Sequence, residues 1–96
     1  MPAEDNRKRM HALVEGRVQG VGFRHFVLQR VRPLPVKGWV RNLHDGRVEV
    51  VAEGEENDLQ VLRNYLEQGP PASVVDNVRT EWSHPQGDLH GFDVKY

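Results

Sequence analysis

Cysteine is absent from the 96 residues, which excludes disulfides, thiolate nucleophiles and cysteine-ligated zinc but leaves the compartment open. No apolar run approaches the ~20 residues needed to span a bilayer. Met1 to Met10 is too polar for a secretory signal, so a soluble cytoplasmic protein is expected. Neither sign of charge dominates. With 13 Lys+Arg against 14 Asp+Glu, no global field draws the chain to nucleic acid or to an anionic membrane. Any affinity for an anion must therefore be local. Catalytic groupings are sparse as well. His11, His25, His44, His84 and His90 do not fall at the spacings of zinc motifs, so no metal site is expected. Ser73 and Ser83 lie outside any nucleophile elbow, and no carboxylate pair stands apart as general acid and base.

What the chain does have is concentrated between Gly16 and Phe26. Three glycines fall within seven positions, Gly16, Gly20 and Gly22, so the backbone there can turn tightly. A strand-like run, Ala12 to Glu15, precedes them. Phe23, Phe26, Val27 and Val31 follow at the spacing of one helix face. A turn of this kind aims several main-chain N–H groups at one spot, with the positive end of the helix dipole behind them. Arg24, in the first helical turn, adds a planar and permanently charged fork suited to phosphate. Most such turns are only turns, and most surface arginines are only solvated. The spacing is not Gly-x-Gly-x-x-Gly, and no Gly-Lys-Ser/Thr follows, so dinucleotide and nucleotide loops are not indicated.

In chain order, residues 1–9 lack periodicity and are expected to form a disordered tail, with one domain over 10–96. A first strand is expected from Met10 to Arg17, and a helix from Gly22 to Arg32. Pro33 disfavours helical geometry at Arg32. Val36 to Leu43 and Arg47 to Glu53 read as strands joined by His44-Asp45-Gly46, a hairpin signal. Gly54 is expected to close the second of these. A helix carrying Leu59, Leu62 and Leu66 on one face then runs to Gly69-Pro70-Pro71. Val74 to Ser83 is a further strand, with Val78, Thr80 and Trp82 on one side. Phe92, Val94 and Tyr96 alternate in a short final one. The order strand, helix, strand, strand, helix, strand predicts an α+β ferredoxin-like βαββαβ sandwich. It would have four main strands and a short C-terminal strand in an antiparallel sheet, with two helices on one face.

Gly16-Arg17-Val18-Gln19-Gly20-Val21-Gly22-Phe23-Arg24 and Gly38-Trp39-Val40-Arg41-Asn42-Leu43-x-Asp45-Gly46 strongly resemble the two signature segments of acylphosphatases. Gly69-Pro70-Pro71 and Gly91-Phe92-x-x-x-Tyr96 are similar to later landmarks of that family. The resemblance covers residues 11 to 96. It implies metal-independent hydrolysis of the carboxyl–phosphate bond, giving carboxylate and inorganic phosphate, the latter also an inhibitor. Arg24 would bind the phosphate, and Val18, Gln19, Gly20, Val21, Gly22 and Phe23 would form its cradle. Asn42 would orient the water, where the residues alone favour a local backbone cap. Pro33 departs from the family pattern, which usually has a helix-ending glycine there. A monomer acting on a small acyl phosphate is expected.

An acyl phosphate also suits the shortage of proton donors. Its leaving group is a carboxylate whose conjugate acid has a pKa of ~4, so it departs unprotonated. Phosphoryl transfer through a loose transition state asks mainly for positioning and charge stabilisation. Trp39 reads as core or as a wall of the site, and Arg17 as a secondary source of positive potential. RNA binding is the alternative for this fold. It requires aromatics alternating on a strand, whereas Phe23 and Phe26 are spaced for a helix.

Overall fold

The computed structural model describes residues 6–96. Seven elements follow in order: β1 Arg7–Arg17, α1 Phe23–Val31, β2 Lys37–Asn42, β3 Val48–Glu55, α2 Glu56–Gln68, β4 Val74–Ser83 and β5 Phe92–Val94. The sheet order is β4-β1-β3-β2-β5, and the first four strands pair antiparallel. This is the expected ferredoxin-like βαββαβ arrangement. The short β5 adds at the edge beside β2, and it runs parallel to β2.

Period-two alternation decides which face of each strand is buried. Met10, Ala12 and Val14 of β1, Val48, Val50 and Ala52 of β3, and Val40 of β2 are fully buried. They meet Phe23, Val27 and Val31 from α1 and Leu59, Leu62 and Leu66 from α2 in one core. Both helices therefore cover one face of the sheet. The stripe of α2 is core packing, as its spacing indicated.

Several boundaries differ from the sequence reading. Arg7, Lys8 and Arg9, assigned to the tail, pair with Glu55, Gly54 and Glu53. One cause therefore starts β1 early and carries β3 through Gly54. Residues 1–5 of the expected tail lie outside the described residues. Arg32 stays in the right-handed helical region (φ −51°, ψ −48°) despite Pro33, and α1 exits through a turn in which Leu34 N donates to Val31 O at 2.9 Å.

Trp39 and Arg41 alternate with buried Val40, so they lie on the open face of the sheet, opposite the helices. There the Trp39 ring is flanked by the Arg41 guanidinium at 5.1 Å and by Lys95 Nζ at 4.5 Å. Trp39 is thus neither core nor part of the helix-side surface. Phe23 is only 2% exposed, and neither it nor Phe26 presents an open strand-borne ring for base stacking.

Candidate active site

β1 ends at Arg17, and residues 18–22 cross to the start of α1 beneath the sheet's β2–β3 hairpin. Val18 is buried and anchors the loop in the core, as Phe23 does at its far end. Between these anchors the backbone turns left-handed at Gly20 (φ 73°) and again directly before the helix. Gly22 supplies the second at φ 80°, as the N-cap of α1. Phe26 N donates to Gly22 O at 2.9 Å and closes the first helical turn.

Among the described residues, no protein acceptor takes a hydrogen bond from the main-chain N–H groups of residues 19–24. Helix geometry makes some of these orphans, since the first N–H groups of a helix have no carbonyl behind them. Gly20 and Gly22 are exposed, so their amides are open to solvent or to a ligand, and a run of such donors concentrates positive potential.

Arg24 is the second residue of α1. Its guanidinium carbon lies 5.3 Å from the centroid of the Tyr96 ring. Tyr96 follows β5, which pairs Val94 with Val40 and continues with Lys95 N donating to Val40 O at 2.8 Å. Asn42 closes β2 opposite Val48 and, alternating with Val40, belongs to the helix side of the sheet. The loop meets the β2–β3 hairpin through the Gln19 side chain, which reaches the carbonyl of Leu43, the residue after Asn42.

Two features of this end were not read from the sequence. Gln19, assigned to the cradle through its backbone, also uses its side chain: Nε2 donates to Leu43 O at 2.6 Å and to Arg47 O at 2.9 Å. Tyr96 was read as a strand residue and as part of a terminal landmark; β5 ends at Val94, and the largely exposed ring has the Arg24 guanidinium carbon 5.3 Å from its centroid. The terminal Gly-Phe-x-x-x-Tyr landmark was the available signal for it.

Charges around the site are mostly paired. In the hairpin, hydrogen bonds from the Arg47 side chain and backbone hold the Asp45 carboxyl below its ordinary range. Glu49, on the open face, is pushed up by burial. Hydrogen bonds from His11 at 2.7 Å and Arg41 at 2.5 Å outweigh this and lower it. Ser73 Oγ donates to Pro70 O at 2.7 Å and serves the turn after α2. Among the described residues, no three His, Asp or Glu side chains gather as a metal ion would require.

A profile of the acylphosphatase family matches residues 10–94. An acylphosphatase of Anaeromyxobacter dehalogenans is 48% identical over 91 residues, covering 95% of this chain and 98% of that one. The crystal structure of an acylphosphatase from Bacillus subtilis is similar with a TM-score of 0.89 at 40% identity, covering 93% of this chain and 99% of that one. An acylphosphatase from Coxiella burnetii gives 0.85 at 40% identity, covering 94% of both chains. Two independent lines, the order of the signature segments and the superposition of the whole fold, converge here, and the chain belongs to the acylphosphatase family.

Proposed function

We propose that this chain hydrolyses small acyl phosphates without a metal or cofactor, as a cytoplasmic monomer, using main-chain amides, Arg24 and Asn42. The observation that carries the reading is the run of uncommitted N–H groups at residues 19–24, at the N-terminus of α1 with Arg24 beside it. Val18, Gln19, Gly20, Val21, Gly22 and Phe23 form the phosphate-binding loop. Phosphate oxygens accept from these donors, and the guanidinium balances the remaining charge.

Asn42, at the end of β2, is assigned the water. Its amide oxygen accepts from a water and its nitrogen donates, which orients the attacking lone pair toward phosphorus. The water oxygen forms the new P–O bond as the bond to the acyl oxygen breaks. The electron pair leaves with the carboxylate, and the water's proton ends on the phosphate. No protein acid is called on, because a carboxylate is a stable leaving group at neutral pH.

Benzoyl phosphate hydrolysis in excess chelator, with inorganic phosphate as competitor, tests this directly. Turnover that survives chelation and is inhibited by phosphate is expected. Phosphate binding without turnover would instead make the cradle an anion sensor.

A further inference from the structure

We infer that the Gln19 side chain is a positioning residue that sets Asn42 against the phosphate cradle. The inference rests on the reading of Asn42 as the residue that orients water. Both hydrogens of the Gln19 amide nitrogen are committed, one to Leu43 O at 2.6 Å and one to Arg47 O at 2.9 Å. Both partners are carbonyls, which only accept, so the orientation of the amide is unambiguous. The two carbonyls flank the mouth of the β2–β3 hairpin, and Leu43 directly follows Asn42.

The hairpin does not need Gln19 in order to close. Arg47 O already accepts from Leu43 N at 2.8 Å, and Leu43 O accepts from Gly46 N at 3.2 Å. Gln19 takes the second lone pair of each carbonyl. Its contribution is therefore to fix the hairpin relative to the loop that holds the phosphate, rather than to satisfy buried acceptors. Among the described residues, no other side-chain hydrogen bond joins residues 18–24 to residues 42–47, so Gln19 alone tethers the loop to the hairpin in this way. Reaction rates depend steeply on such placement, since a displacement of about 1 Å can cost on the order of 100-fold.

Gln19→Met keeps the shape of the side chain and removes both donors. Its kcat is expected to fall about tenfold, while the inhibition constant for inorganic phosphate stays within about twofold, because the cradle amides are untouched. In an Asn42→Ala background the same substitution is expected to change kcat by less than about twofold, since the group it positions is gone. Gln19→Glu, which turns carboxylate oxygens toward two carbonyls, is expected to be worse than Gln19→Met.

Full multiplication of the two losses in the double variant overturns the inference and leaves Asn42 in its role. A phosphate inhibition constant that rises in step with the kcat loss also overturns it, because Gln19 then serves the cradle itself. Wild-type kcat in Asn42→Ala alone takes down both readings. Should Gln19→Met fail to fold, exchange of the Gln19 side-chain amide protons in the unaltered protein decides the matter. Slowed exchange at both protons supports the tether, and rapid exchange overturns it.

Discussion

At the scale of single residues, the proposed mechanism divides the site into groups that hold charge and groups that place atoms. Arg24 belongs to the first kind. Arg24→Ala should lower turnover of an acyl phosphate by about 100- to 1000-fold, the loss typical of one charge-stabilising donor, and should weaken phosphate as a competitor. Asn42 is of the second kind. Asn42→Ala should lower kcat with phosphate inhibition nearly unchanged, and steady-state kinetics with phosphate titration separate the two patterns. Gly22 is a matter of backbone. A Cβ there meets nothing within 4 Å, so sterics do not oppose it, but φ is +80°. Gly22→Ala should therefore cost about 1–2 kcal/mol from the left-handed conformation alone. Thermal melting should show a drop that added phosphate only partly restores, because relaxing φ turns the N-cap amides away from the ligand.

At the scale of elements, close packing of backbones matters more than side-chain chemistry. β2 lies so near β3 that a Cβ on Gly38 would stand 1.9 Å from Val51 O. Gly38 also donates its N–H to Gly91 O at 2.8 Å, where β5 joins the sheet. Gly38→Ala should thus open the β2 edge and loosen β5 together. Urea unfolding is expected to show a loss of several kcal/mol, within the range of severe point mutants. Sequence placed these strands correctly because alternation is a local signal. It missed the earlier start of β1 and the run of β3 through Gly54, because each extension exists only by pairing with the other. Arg7 and Glu55 are 48 positions apart, beyond any window of periodicity.

At the scale of the whole molecule, a buried carboxylate ties the open face together. Glu53 is 3% exposed and accepts from Arg9 at 2.6 Å and from the amides of Gln86 at 2.8 Å and Gly87 at 3.2 Å. Burial pushes its pKa up, but the Gln86 amide, the Arg9 side chain and the Gly87 amide outweigh burial and hold it below the ordinary 4.5. The folded state thus releases this proton more readily than the unfolded chain. Its stabilisation is complete above about pH 4.5 and is lost as pH falls through the lower folded value. Urea unfolding at pH 7 and near pH 3 should show a steeper acid loss in the unaltered protein than in Glu53→Gln. Equal slopes would remove Glu53 from that role. Because the bonded amides open the segment leading to β5, acid should free that segment before the core of the helices.

The chain alone determined the local devices: a glycine-rich turn between a strand and a helix, an arginine in the first helical turn, and an asparagine at a strand end before Asp-Gly. Each depends on neighbours within a few residues, and spacing reports such neighbours faithfully. Only the tertiary structure decided which amides stay uncommitted, that Gln19 reaches Leu43 and Arg47, and that Trp39 faces away from Asn42. Those outcomes depend on strand register and on how the crossing loop meets the hairpin. Contacts between distant parts of the chain are set by the shared core, and no short stretch of residues encodes them.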